Sequence, residues 1–274
     1  FRVDGFPRTW QSIVWKGNLP DCGGIRCDNR EFIVWIHSSG HLHLASTPES
    51  RVGSGQLYVN TAPLIIPGAW NHFAAVIDCD QHSMKVFVNG ELRAEGDYDS
   101  SNIRDTSGPL RLGGGPNPDD KFLGQLDEVR IWKVPLSTTE IRAEMRNSPT
   151  GRESDLMAYW NFDEGIGFTA KDLSGNRHDG SLGGGNAAMA PKWDIASAPV
   201  IEPGTSEVKA LAANAGELWL SWTIANQGSG LARPNWTDSL YLSTDTIWDF
   251  EDTLLGQFTW ERRLPAGSSY DRFT

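Results

Sequence analysis

Apolar positions recur at strand-length intervals through the first half of the chain. WQSIVWKG (10–17), EFIVWIHS (31–38) and HLHLASTP (41–48) alternate or run apolar for five to eight residues, and Ser38-Ser39-Gly40 joins the last two as a hairpin. HFAAVID and MKVFVNGELRAEG follow, with Asn89-Gly90 between two alternating runs. A type I′ turn needs positive φ at both central residues, which makes Asn-Gly a strong hairpin signal. PLRLGGG and GQLDEVRIW close the series before residue 146. Short strands at regular spacing with turn signals between them predict an all-β sandwich or jelly roll.

One helix interrupts this pattern. Ser137 and Glu140 have capping-box spacing, which would satisfy otherwise orphaned backbone N–H groups, and Ile141 and Met145 lie four apart on one buried stripe. The helix is expected to plug one edge of the sandwich. LMAYWNFDEG then reads as another strand, and KDLSGNRHDGSLGGGNAAMAPKW, rich in Gly and Asn, as loop. Residues 1–199 form the first domain in this reading, 200–206 a linker and 207–274 a second β unit, short for an independent sandwich.

Twelve Trp in 274 residues suit anchors of sandwich cores, with a flat ligand platform as the alternative; Trp10 or Trp70 could serve a sugar, yet each is read as core. The net charge of −11 excludes a nucleic-acid backbone or an anionic membrane surface as the main partner. No apolar run is long enough to span a bilayer. Phe1 falls in what reads as mid-strand, which fits a chain cut from something longer. Cys22 and Cys27, five apart in a Gly-rich turn, could close a small disulfide loop in an oxidising compartment, leaving Cys79 odd. His41 and His43 share a strand face and are the near candidates for zinc, although surface strands carry such pairs by chance.

Five segments carry a family resemblance: WNHFAAVID (70–78), MKVFVNGEL (84–92), LGGG (112–115), FLGQLDEVRIW (122–132) and LSTTEI (136–141). In order and spacing they resemble a laminin-G-like domain of the concanavalin A-like lectin/glucanase fold, a shape shared with pentraxins. LMAYWNFDEGIGFTAKDLSGNRHDGSL extends the resemblance to about residue 199. The family's opening strand is missing, which would leave a sheet edge unpaired. WTIANQGSG (222–230), WTDSLYLSTD (236–245), DTLLG (252–256) and LPAGSSY (264–270) resemble the cell-adhesion-related domain found in bacteria, a small immunoglobulin-like sandwich, here without its last strands. Missing strands could be supplied by another chain through strand addition, giving self-association at incomplete sheet edges.

The carboxylates and loops bear on hydrolysis, calcium and glycan or protein binding. Glucanases of this fold place carboxylates in a pattern resembling Glu-x-Asp-x-x-Glu on one strand. Here Gln125 and Arg130 stand where Glu is needed, and Asp127 and Glu128 are adjacent, so they would point to opposite faces and form no acid–nucleophile couple. Alternation puts Asp127 with Val129 and Ile131, partly buried, and Glu128 on the surface. For calcium, Asp172, Ser174 and Asn176 supply oxygens at alternate positions of a Gly-containing loop, with Asp127 as a partner. The alternative is that Asp172 and Asn176 hydrogen-bond their own turn. For glycan or protein binding, the candidate loops are 97–107 and 114–121 at one rim. The Asn235 sequon is read as structural. These readings make the chain a non-enzymatic adhesion or surface-assembly module of a modular extracellular bacterial protein, binding a glycan or a cell-surface protein. The alternatives are a carbohydrate-binding appendage of a secreted hydrolase and a structural subunit of a surface fibre.

Overall fold

The structure is a computed structural model, and it describes residues 1–18, 30–51, 55–115, 117, 119–194, 201–203, 209–214, 217–226, 236–242, 253–265 and 267–274. The chain divides into two compact units. The first holds Phe1–Asn161 and Thr169–Gly180, the second Phe162–Phe168 and Ser181–Thr274.

In chain order the strands are β1 (Arg2–Val3), β2 (Trp10–Gly17), β3 (Arg30–His37), β4 (Leu42–Ser46), β5 (Leu57–Asn60), β6 (Phe73–Asp78), β7 (Ser83–Val88), β8 (Glu91–Asp97), β9 (Leu110–Leu112), β10 (Gly124–Gln125) and β11 (Val129–Trp132). Helix α1 (Thr138–Arg146), β12 (Leu156–Trp160), β13 (Thr169–Ala170) and β14 (Gly180–Ser181) follow. A five-stranded antiparallel sheet, ordered β5-β4-β3-β2-β9, and a three-stranded one, β6-β7-β8, form the two layers. β1 pairs with β10, and β11 with β12.

The core lies between the layers. Val14, Val34, Ile36, Leu42, Leu44 and Val59 come from the five-stranded sheet, and Met84, Val86 and Val88 from the other. Cross-strand partners point to the same side of a sheet, so this register sends Trp35, His43 and Asn60 to the opposite face. The Asn89-Gly90 turn has φ of 53° and 81°, the type I′ signature its sequence demanded. Helix α1 carries the expected capping box, with Ser137 Oγ accepting from the Glu140 N–H and the Glu140 carboxylate from the Ser137 N–H. Ile141 is buried, and Arg142 donates to Gly90 O and Glu91, which seats the helix on the β7–β8 hairpin.

Gly40 ends the β3–β4 turn at φ +87°, and a Cβ there would lie 2.6 Å from the Ile65 carbonyl oxygen. Gly40→Ala is therefore expected to cost about 1–3 kcal/mol, read as a lowered urea midpoint. An unchanged midpoint would show that the 64–65 backbone moves aside freely.

The second unit contains β15 (Ile201–Pro203), β16 (Lys209–Asn214), β17 (Glu217–Asn226), β18 (Trp236–Leu242), β19 (Thr253–Trp260) and β20 (Ser269–Phe273). β17 is central, pairing with β15, β16 and β20, while β18 and β19 form a separate ribbon. Trp222, Ile224, Leu264 and Tyr270 are its core, packed by Leu240, Phe258 and Trp260. Asp238 ties this core together, accepting from Tyr270 Oη at 2.7 Å and Trp222 Nε1 at 3.4 Å.

Candidate functional site

The outer face of the five-stranded sheet carries an aromatic and imidazole stripe. The strand registers place Trp10, Ser12 and Trp15 of β2 there, with Ile33, Trp35 and His37 of β3, His43 and Ala45 of β4, Tyr58 and Asn60 of β5, and Arg111 of β9. Two irregularities in β2 shape it. The register shift between Ser12 and Val14 lets Trp15 follow Ser12 onto this face, and the shift between Lys16 and Gly17 brings in Arg30. The Arg30 guanidinium carbon lies 5.9 Å from the Trp15 ring centroid. Trp15, Ile33 and Ala45 form a small buried cluster of their own beside Trp35.

Trp10 is the centre of the open end. His37, His41 and His43 meet its ring edge to face, at 4.6, 5.4 and 5.3 Å between centroids, and Trp35 lies at 5.9 Å. His37 and His41 stack on each other at 4.6 Å. Ser39 in the turn holds them, its N–H donating to His37 Nδ1 at 3.1 Å and its Oγ lying 2.8 Å from His41 Nδ1. His43 Nδ1 donates to Asn60 Oδ1 at 2.7 Å, and Gln56 Nε2 lies 3.4 Å from His43 Nε2. Tyr58, 56% exposed, flanks His43 at 5.3 Å. The result is a partly open surface of ring faces fringed by imidazole, amide and hydroxyl groups.

Burial and the neighbouring His37 lower the His41 pKa, and burial lowers that of His43 against the bond to Asn60, with Arg30 and His41 adding to the drop. His72, elsewhere in the unit, is lowered to about 4 by burial, with the Phe1 amino group and Arg130 contributing. Below the ordinary value of 6.5 the unfolded chain takes up protons that these folded imidazoles refuse, so stability falls as pH drops from 6.5 toward 4. A loss of about 1–2 kcal/mol between pH 7 and pH 5 is expected from urea unfolding. A midpoint equal at both pH values would show that folding leaves these imidazoles' protonation unaltered.

The residues expected to bind calcium are arranged differently. Asp172 is fully buried at its side chain. Its Oδ1 accepts the Tyr159 and Ser174 N–H groups at 3.0 and 2.9 Å, and its Oδ2 the His178 N–H at 2.9 Å. Burial alone would raise its pKa, yet these hydrogen bonds outweigh it and hold the carboxyl below its ordinary value. Ser174 Oγ donates to Met157 O at 3.2 Å, and Asn176 Nδ2 to the carbonyls of Leu156 and Met157 at 3.0 Å each. The loop is a latch over β12, and Asn176 turns its donor rather than its oxygen to the strand. Among the described residues no three His, Cys, Asp or Glu side chains gather where a metal ion could be held. Asp172 and Asn176 are engaged by the backbone of β12 and of their own loop, the arrangement of the turn-holding alternative.

Asp127 and Glu128 do not extend the β11 alternation. Glu128 has φ +53°, and the strand begins only at Val129. Asp127 Oδ1 accepts the Glu128 N–H at 2.9 Å. Glu128, expected at the surface, is half-buried and accepts from Arg130 at 2.6 Å, Ser148 Oγ at 2.9 Å and Tyr159 Oη at 3.0 Å. The left-handed residue swings it onto β12. Among the rim loops, Tyr98 is fully buried against Ser46 Oγ, and Thr106 bonds Glu31, so much of 97–107 is anchored. In 114–121, Asp120 accepts from Asn117. Cys22 and Cys27 lie outside the described residues, and Cys79 is a half-buried free thiol.

Trp35, His37, Tyr58 and Asn60 were not singled out from the sequence as surface groups, and Trp10, named there as able to serve a sugar, was given to the core. The available signal was the parity of 35, 37, 41, 43, 58 and 60, all polar or aromatic, against the aliphatic Ile36, Leu42 and Val59 between them.

No curated protein matches the chain. Among solved structures it is similar to a candidate carbohydrate-binding protein from Bacteroides ovatus ATCC 8483, at 23% identity and a TM-score of 0.49 over 66% of this chain and 49% of that one. The chain thus spans about half the length of that protein. It is similar also to the CBM40 of the Ruminococcus gnavus IT-sialidase, at 22% identity and a TM-score of 0.41 over 49% of this chain and 73% of the other. A heptameric SAP-like pentraxin from Limulus polyphemus gives 20% identity and a TM-score of 0.36, with coverage of 52% and 65%. A laminin-G-type family model, described as concanavalin A-like lectin/glucanases superfamily, matches residues 1–142, just over half of the chain. With the two-layer antiparallel sandwich that these residues build, the chain belongs to the concanavalin A-like lectin/glucanases superfamily.

Proposed function

We propose that the first unit is a non-catalytic glycan-binding module whose ligand lies on the Trp10 face of the five-stranded sheet. The observation that carries this is the convergence of three imidazoles on one half-exposed indole, beside an exposed Tyr58 and Asn60. Indole and phenol rings offer apolar faces to the C–H side of a sugar ring, while imidazole and amide edges bond hydroxyls. None of the residues that the strand registers place on this face is Asp or Glu. Glycoside hydrolysis needs two carboxyl groups flanking the bond, so this face supports binding rather than cleavage.

The wider setting we read from the sequence is an adhesion or surface-assembly role in a larger secreted bacterial protein, with the second unit as an immunoglobulin-like spacer. No helix among the described residues is long and apolar enough to cross a membrane. A glycan array probed with the intact chain tests the binding reading. Selective retention on particular oligosaccharides is expected, and absence of binding to every glycan would overturn it. Strong association of the chain with itself alone would favour a fibre subunit instead.

A further inference from the structure

We infer that Ser39 and Gln56 hold the imidazoles around Trp10 in their neutral forms, so that the face binds its glycan near neutral pH and releases it in mild acid; this rests on the glycan-binding reading above. A backbone N–H can only donate. The Ser39 N–H, 3.1 Å from His37 Nδ1, therefore requires a lone pair on that nitrogen and puts the ring proton on Nε2. His43 is fixed from both sides. A guanidinium can only donate, and Arg30 Nη1 bonds Gln56 Oε1, so the amide turns its Nε2 toward His43 Nε2 at 3.4 Å. That ring nitrogen is the acceptor, and the proton sits on Nδ1, which donates to Asn60 Oδ1 at 2.7 Å.

A proton added to either ring sets donor against donor. On His37 Nδ1 it meets the Ser39 N–H. On His43 Nε2 it meets the Gln56 amide, which cannot turn over without aiming its own N–H at Arg30. His41 stacks on His37 with centroids 4.6 Å apart, so two imidazolium charges there would repel. No carboxylate on the face offsets this. Besides the imidazoles, the charged or titratable groups that the registers place there are Arg30, Arg111 and Tyr58. Exposed Arg8 precedes β2, and the 62–66 segment that bonds Gly40 O through Leu64 and Ile65 holds no such group. One imidazolium would gain from facing the indole, which works the other way. That gain restores neither lost bond and leaves the repulsion between His37 and His41 in place. The downward direction of the His41 and His43 pKa values agrees with this account. Binding that needs neutral rings is complete above the ordinary value of 6.5 and is lost as pH falls through the lowered folded values.

Two measurements on the intact chain test this. Without any glycan, heteronuclear NMR of the imidazole nitrogens at neutral pH should place the proton of His37 on Nε2 and that of His43 on Nδ1. The glycan array is then probed at about pH 7.5 and about pH 5, with far-UV circular dichroism recorded at both values. Retention on the glycans bound at the higher pH is expected to fall about tenfold or more at the lower one, with the fold intact, and to return when the pH is raised. Gln56→Glu keeps one oxygen for Arg30 and offers the other to His43 Nε2, so the protonated ring can stay in place. In that variant His43 should take up its proton at higher pH than in the wild type, and the loss of binding in acid should shrink. His37→Gln can accept the Ser39 N–H but cannot titrate, and its loss should shrink too, so poor folding of one variant leaves the other to decide. Equal retention at both pH values, or a loss that coincides with loss of the fold, would overturn the release and leave glycan binding standing. The opposite tautomer at His37 or His43 would overturn it, as would a wild-type loss in both variants. No binding to any glycan at either pH would overturn the glycan reading and this inference with it.

Discussion

Asp172→Ala should lower the melting temperature of the first unit by about 10 °C, the largest single effect that we expect. The substitution strands three backbone N–H groups, those of Tyr159, Ser174 and His178, beneath a loop that the carboxylate now pins to β12. Hydrogen bonds to an ionised acceptor contribute about 1.5–3 kcal/mol each, non-additively, so a total loss of about 4 kcal/mol is reasonable for the trio. Asp172→Asn should fall between the two, since its amide keeps an acceptor for Tyr159 and Ser174 but turns a donor toward the His178 N–H. The charged form is the one stabilised. Its contribution is complete above the ordinary carboxyl value of 3.8 and is lost as pH falls through the lowered folded value. The gap between the wild-type and Ala proteins should therefore narrow in strong acid. Because N–H donors satisfy this carboxylate, the wild-type curve should be the same with calcium and with a chelator. A drop on chelation would restore calcium to the loop, and an Asp172→Ala protein as stable as the wild type would show that the latch contributes nothing.

Trp10→Ala is expected to weaken glycan binding by about 30-fold or more, the loss typical of a central aromatic anchor worth at least about 2 kcal/mol. The indole is the common neighbour of His37, His41, His43 and Trp35, so its removal takes the stacking surface and also releases the imidazoles around it. Trp10→Phe keeps a ring and should recover part of the affinity. The indole is half-exposed and stands outside the core between the sheets, so the melting temperature should move much less than for Asp172→Ala. Affinity unchanged in Trp10→Ala would remove this face as the site, whatever the array shows for the whole chain.

Local rules reached far into this fold. The Asn89-Gly90 turn, the Ser137–Glu140 capping box and the strands at 10–17, 42–46 and 83–88 follow from φ preferences and period-2 patterning, which act over a few residues and are written in the chain. The capacity of Asp172 and Asn176 to hold their own turn was legible for the same reason, as one of two readings. Glu128 was not, because a single left-handed residue before β11 breaks the parity that placed it at the surface.

By itself the sequence determined that these segments are strands, that they alternate, and that their turns make them antiparallel. Only the tertiary structure decided what each face became. The three-stranded sheet covers the side bearing Val34, Ile36 and Leu44, and so leaves Trp10, His37 and Tyr58 on the outside, while two register shifts in β2 bring Trp15 and Arg30 round to join them. Parity along a strand is a property of neighbouring residues. Which parity is buried depends on a second sheet distant in sequence, and no window of a few residues contains that information.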